Sequence, residues 1–435
     1  MRTRIFALSL AGLIAGIGSA QAATEIDFWH SMQGALGERV NELAEEFNKS
    51  QSDYVIKPTY KGTYGESMNA GIAAFRAGNA PDILQVFEVG TATMMNAKGA
   101  IKEVQTMSEE VGDPIKADDF IGAVAGYYSS PEGKLVSMPF NSSTPVFYYN
   151  KDAFKKAGLD PEKPPKTWEE VAEAGRKLRA AGYECGYTTS WPSWVQLETF
   201  GAWHDTPYAT KNNGFGGLDA RLQVDAPLYV RHMDFLSKMA KDGTFTYGGR
   251  ADSSGALFTS GKCGMFTGSS GNRANIIKTG DFEFGTSTLP YYADVKGAPQ
   301  NSIIGGASLW VFANKKPETY KGITKFFKFL ASPEQAAKWH QVTGYVPVTK
   351  AGYEETIKSG FYDKNPGADI AVKQLDVATT SNSRGVRLGY LPQIRDIAEG
   401  EMEQIFAGKI TPEVGMANTV KRSNELLERF EKSAK

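Results

Sequence analysis

Side chains able to do covalent chemistry are few in this sequence of 435 residues, and they are scattered. The four histidines are His30, His204, His232 and His340. None stands in a His-Glu-x-x-His or other metal-ligand spacing, so each reads as a surface or packing residue. Gly268-Ser269-Ser270-Gly271 resembles a nucleophile elbow only loosely, because Asn272 takes the place of the last glycine in Gly-x-Ser-x-Gly. No Gly-rich phosphate loop of the Walker kind occurs, and no Gly-x-Gly-x-x-Gly follows the first predicted strand. The two cysteines, Cys185 and Cys263, carry no cysteine–histidine signature. No catalytic residue, metal site or cofactor is therefore expected. A secreted phosphodiesterase or glycosidase with dispersed catalytic groups stays open as an alternative.

Residues suited to non-covalent recognition are more concentrated. Trp191-Pro192-Ser193-Trp194 puts two indoles in one loop, able to stack on the apolar face of a ligand or to pack a domain edge. Glu88 ends an apolar strand, where a buried carboxylate needs donors such as ligand hydroxyls and an exposed one needs nothing. Arg395, taken alone, is a surface arginine or half of an ion pair. Between Pro139 and Pro145 lies Phe140-Asn141-Ser142-Ser143-Thr144, and Val146-Phe147-Tyr148-Tyr149-Asn150 follows. Proline disfavours helix in the residue before it, so this segment is predicted to be extended. It is either an ordinary loop before a strand or a crossing that offers hydroxyls and amides to a polar ligand.

The elements that must position these groups follow an alternating rhythm. Ile26 to Trp29, Tyr54 to Tyr60 and Asp82 to Phe87 read as strands. Leu36, Val40, Leu43 and Phe47 recur at helical spacing between the first two, and Met68, Ile72 and Phe75 between the second and third. Such alternation implies a mainly parallel sheet with helices on both faces. The pattern restarts later. Thr167-Trp168-Glu169-Glu170 and Ser332-Pro333-Glu334-Gln335 have the form of capping boxes, strands are predicted around Tyr187, over 261–267 and over 303–311, and Thr411-Pro412-Glu413 opens a last helix.

The ends and the composition bound the setting. Arg2 and Arg4, the apolar run from Ile5 to Ile17 and Ala20-Gln21-Ala22 form an export signal with the mature start at Ala23, too short in its apolar part to span a membrane. Its removal takes two arginines from the 48 basic residues and none of the 49 acids, leaving a net charge of −3. That near-balance suggests neither nucleic acid nor an anionic membrane as partner. In an oxidising compartment the two cysteines either pair, closing a loop of roughly eighty residues worth about 4 kcal/mol, or stay as buried thiols. The length suits two domains.

The motifs Tyr149-Asn150-Lys151-Asp152, Pro164-Pro165-Lys166-Thr167-Trp168 and Phe258-Thr259-Ser260-Gly261-Lys262-Cys263-Gly264-Met265 resemble those of the extracytoplasmic solute-binding proteins of ABC importers, in the large maltose-binding-protein-like family. The segments 28–32, 85–95, 139–150, 303–310 and 388–395 are similar to members that capture glycerol phosphates. The resemblance implies an α/β, two-lobed periplasmic binding protein fold of type II, with a ligand cleft between lobes joined by hinge crossings. It implies a signal peptide over 1–22, an N-terminal lobe over 23–141 and 306–355, and a C-terminal lobe over 142–305 and 356–435. It also implies a ligand set of Tyr64, Glu88, Ser143, Trp191, Trp194, Ser269, Gly306, Tyr345 and Arg395. In that set Arg395 is expected to grip phosphate with a bidentate pair, and Glu88 to take glycerol hydroxyls at the other end. Replacing Arg395 by alanine is then expected to abolish phosphate binding with little loss of stability. The implied partners are sn-glycerol-3-phosphate or a glycerophosphodiester such as glycerophosphocholine, and the permease subunits and ATPase of an importer. A periplasmic monomer is implied, and an oligosaccharide binder of the same fold is the nearest alternative.

Overall fold

The computed structural model describes residues 22–434, so the expected signal segment lies outside the described residues apart from Ala22. In chain order the strands are β1 (Thr24–His30), β2 (Tyr54–Tyr60), β3 (Ile83–Phe87), β4 (Ile101–Lys102), β5 (Met138–Ser143), β6 (Pro145–Asn150), β7 (Cys185–Thr189), β8 (Cys263–Ser269), β9 (Phe284–Ser287) and β10 (Gly305–Phe312). They form two sheets. The first has the order β2-β1-β3-β10-β4, with β5 also paired to β10, and the second the order β7-β8-β6-β9.

The alternating sequence pattern produces the parallel part of the first sheet, where β1 pairs with β2 and β3. The connecting helices, Gly34–Ser50 and Tyr64–Arg76, bury Val40, Leu43 and Phe47 from one and Met68 and Ala74 from the other. β10 enters antiparallel beside β3 from far along the chain. The second sheet is parallel only at β7/β8 and antiparallel from β8 through β6 to β9. The expected parallel style thus holds for one part of each sheet. Cys185 and Cys263 stand opposite each other in the β7/β8 register and are joined as a disulfide, with Cα atoms 4.6 Å apart.

The first capping box forms as expected: Thr167 Oγ1 accepts from the Glu170 N–H at 3.2 Å, and Glu170 Oε2 accepts from the Thr167 N–H at 3.1 Å. The second forms by half. Ser332 Oγ accepts from the Gln335 N–H, but the Gln335 amide donates to Glu46 on the Gly34–Ser50 helix at 3.0 Å. The Ser332 N–H donates instead to the Phe329 carbonyl at 3.2 Å.

The segment 139–150 is extended, as the prolines predict, and fully buried. It belongs to both sheets. β5 pairs with β10, β6 pairs with β8, and only Thr144 lies between them. The exchange between the sheets thus falls at Thr144. The chain returns to the first sheet at Gly305. It leaves again after the Lys350–Lys358 helix, which packs on the Pro333–Thr343 helix, and before the Ile370–Leu375 helix, which packs on β6.

Candidate functional site

Where the strands change sheets, three strand ends converge on a cavity of about 490 Å³. β5 brings Ser143, β8 brings Ser269 and β10 brings Gly306. The pairings explain the meeting: Ser142 stands opposite Gly306, and Ser269 opposite Pro145, two residues after Ser143. Gly306 is the one residue of β10 not fully buried, and its φ of +87° belongs to glycine. A Cβ there would lie 1.9 Å from the Asn141 carbonyl oxygen. Ser269 Oγ accepts from the Gly271 N–H at 3.1 Å. Gly271 caps the Asn272–Thr279 helix, whose first turn also lines the cavity, so the positive end of that helix faces it. Tyr345 closes this side, its ring parallel to that of Trp339 with centroids 6.0 Å apart.

An aromatic wall stands beside these donors. Tyr64 stacks on Phe87 at 5.3 Å and meets Trp191 at 6.5 Å. The Tyr64 hydroxyl accepts from Asn141 Nδ2 at 2.9 Å, and Asn141 Oδ1 accepts from Gln85 Nε2 at 2.8 Å. Trp194 lies under Gly305, where a Cβ would be 2.3 Å from its ring. Trp191 has φ +48° and Ala251 φ +49°, and the Trp191 N–H donates to the Ala251 carbonyl at 2.7 Å. Two strained residues bonded to each other at a cleft rim mark a conformation imposed by the surroundings.

The charged groups correct the expected division of labour. Arg395, on the Leu391–Phe406 helix, donates from Nη2 to Glu88 Oε1 at 2.6 Å. It also forks onto Glu198, from Nε to Oε1 at 2.6 Å and from Nη2 to Oε2 at 2.9 Å. All three side chains are buried. The edge expected to clasp phosphate is thus already occupied, and Glu88 touches Arg395 instead of standing at the opposite end. The physical reason is that neither carboxylate could be buried without a cation. Burial raises the Glu88 pKa, and Arg395 only partly offsets this. Burial opposes the charge on Arg395, but Glu198 and Glu88 outweigh it, and its pKa rises.

All the residues expected from the resemblance line this one cavity. Sequence reasoning missed Glu198, Asp252 and Asn272. Asp252 lines the cavity and both its carboxylate oxygens accept from Asn272 Nδ2 at 2.9 Å, while burial raises its pKa. Glu198 had a signal, a lone acid inside the apolar run Trp194 to Trp203. Asp252 and Asn272 had none. The histidines are all buried away from the cavity, His232 stacked on Phe200 with centroids 4.0 Å apart. Among the described residues, no helix is long and apolar enough to cross a membrane.

Residues 42–369 match the family described as bacterial extracellular solute-binding protein. The chain is 55% identical over 431 residues to the sn-glycerol-3-phosphate-binding periplasmic protein UgpB of Salmonella typhimurium, covering 99% of this chain and 98% of that one. It is 54% identical over 431 residues to the protein of the same name from Escherichia coli K12, with the same coverage. Among solved structures, UgpB from Mycobacterium tuberculosis in complex with glycerophosphocholine is similar with a TM-score of 0.79 at 24% identity, covering 94% of this chain and 99% of that one. The cyclic alpha-maltosyl-1,6-maltose binding protein from Arthrobacter globiformis is similar with a TM-score of 0.74 at 21% identity, covering 94% and 100%. At these identities the structural likeness is one of fold, the two-lobed fold of periplasmic binding proteins.

Proposed function

Because the chain belongs to the family of bacterial extracellular solute-binding proteins, we propose that it captures sn-glycerol-3-phosphate and glycerophosphodiesters in the periplasm and delivers them to an ABC importer. The observation that carries the ligand is the meeting, in one cavity, of neutral donors on one side and a hydroxyl-type site on the other. Ser143, Ser269, Tyr345, the Gly306 N–H and the first turn of the Asn272–Thr279 helix suit a phosphate, which wants several donors and a helix N-terminus. Glu88 and the free Nη1 of Arg395 suit glycerol hydroxyls, one accepting and the other donating. Trp191, Trp194 and Tyr64 cover the carbons, or a choline head group by cation–π attraction. An affinity near micromolar, roughly −8 kcal/mol, would scavenge and still release.

The relatives' name supports this reading, since this chain covers nearly their whole length at more than half identity. On this reading the lobes divide at the sheet exchanges, Thr144, Gly305 and the stretch after Lys358. The ligand bridges them and favours the closed form by its differential affinity. That form docks, as a monomer, on a membrane permease pair driven by an ATPase, and the protein itself does no chemistry.

One observation favours a second reading. Stacked aromatics with the carboxylates Glu88 and Asp252 in a cavity lined by a single arginine are also the furniture of an oligosaccharide cleft. Calorimetry with glycerol-3-phosphate, glycerophosphocholine and maltose separates the two. Heat from the phosphate compounds and none from maltose is expected. Silence from both phosphate compounds would overturn the proposal, and turnover of glycerophosphocholine would make the protein an enzyme.

A further inference from the structure

Glu198 is 3% exposed and stands behind Arg395, outside the lining of the cavity. It belongs to a π-helical stretch, Trp194–Thr199. Such turns insert one extra residue and recur at functional sites. One end of this stretch supplies Trp194 to the cavity and the other supplies Glu198 to Arg395. Between them Gln196 is clamped. Its Nε2 donates to the Tyr187 hydroxyl at 2.8 Å and to Thr189 Oγ1 at 2.9 Å, so its Oε1 must accept from His232 Nε2, 2.8 Å away. His232 is held neutral by burial, which lowers its pKa well below the ordinary value, and its Nδ1 is left to accept from the Tyr292 hydroxyl at 3.2 Å. The backbone that aims Glu198 is pinned from behind.

We propose that Glu198 is a positioning residue that assigns Arg395 to the hydroxyls of the ligand and withholds it from the phosphate. The inference rests on the glycerol-phosphate reading above. Glu198 occupies the Nε–Nη2 edge of the guanidinium and Glu88 the second Nη2 proton, so neither edge keeps the two N–H groups a bidentate phosphate pair needs. Glu88 shares Nη2, and Nη1 is what remains for the cavity. Two carboxylates and one guanidinium carry a net negative charge, so a phosphate dianion gains little by approaching them. A hydroxyl gains twice, donating to Glu88 and accepting from Nη1. Glu198 thereby sorts the two ends of the ligand, anion toward Ser143 and Ser269, polyol toward Glu88 and Arg395.

The test compares glycerol-3-phosphate with n-propyl phosphate, which keeps the phosphate and lacks the hydroxyls. Both are titrated calorimetrically into wild type, Glu198→Gln and Glu198→Asp, and the ratio of the two affinities is read. Glu198→Gln is expected to lower that ratio about tenfold, as glycerol-3-phosphate weakens while propyl phosphate holds or tightens. Glu198→Asp keeps the charge but withdraws it by one methylene, and about a threefold loss is expected. Equal weakening of both ligands would make Glu198 a structural prop, and an unchanged ratio would remove it from recognition; either result overturns the proposal. If Glu198→Gln does not fold, Glu198→Asp decides on the same ratio. Wild type that ignores glycerol-3-phosphate overturns the functional reading as well, whereas a binding wild type with unaltered variants overturns this inference alone.

Discussion

Arg395 shows how a residue's surroundings decide what it can offer. A buried guanidinium flanked by Glu88 and Glu198 is a structural member as much as a ligand contact. Removing it strands two buried carboxylates, and breaking a buried pair of this kind costs about 3 to 5 kcal/mol. Arg395→Ala should therefore destabilise the fold as well as weaken binding, contrary to the expectation from sequence that stability would survive. The pH dependence has a definite sign. The Glu88 pKa is already raised by burial, and without Arg395 it rises further. The folded variant then holds a proton that the unfolded chain has lost, so its stability falls as pH climbs above the usual carboxylate range. Denaturation of wild type and variant at pH 5 and pH 7.5 should show the larger deficit at pH 7.5, and an equal deficit would contradict the triad. The individual contacts were legible only by resemblance. Composition could flag Glu88 and the two tryptophans, but the identity of the carboxylate behind Arg395 depends on a contact spanning 197 positions in sequence.

Among the elements, β5 and β10 carry the consequence of Gly306. Its left-handed φ and the Asn141 carbonyl packed against it leave no room for a side chain. Gly306→Ala must push β10 away from β5 at the cavity floor, where Ser143 and Gly305 are opposed. Glycerol-3-phosphate affinity is expected to fall by about tenfold or more, a loss of roughly 1.4 kcal/mol, with a lowered melting temperature. Wild-type affinity in the variant would mean that the floor does not touch the ligand. The strands and helices of the first sheet were readable because their periods of two and three to four are local. The partner of β10 was not, because antiparallel entry from two hundred residues away leaves no periodic mark. The half-formed cap at Ser332 failed for a similar reason, since the acceptor that wins Gln335 comes from Glu46.

At the scale of the whole molecule, the cavity is bounded by both sheets, and groups from each meet across it. Lys278 on the Asn272–Thr279 helix lies 3.5 Å from Glu38 on the Gly34–Ser50 helix, an exposed pair of small energy that nonetheless shows how near the two sides stand. A bridging ligand should hold them there. Small-angle scattering is expected to show a smaller radius of gyration with saturating glycerol-3-phosphate than without it, toward roughly 22 Å for a compact chain of this length. Superimposable curves would contradict closure on the ligand. The path between those states would run through the crossing at Thr144. Its Oγ1 donates to the Ile303 carbonyl at 2.9 Å and bonds to Ser302 Oγ, which ties the first crossing sideways to the second. Two strips riveted edge to edge behave as a leaf spring: they flex about the line that crosses them and resist twist and shear. On the proposed hinge reading, the lobes are expected to swing like a book on its spine, each opening returning the same two pages to register.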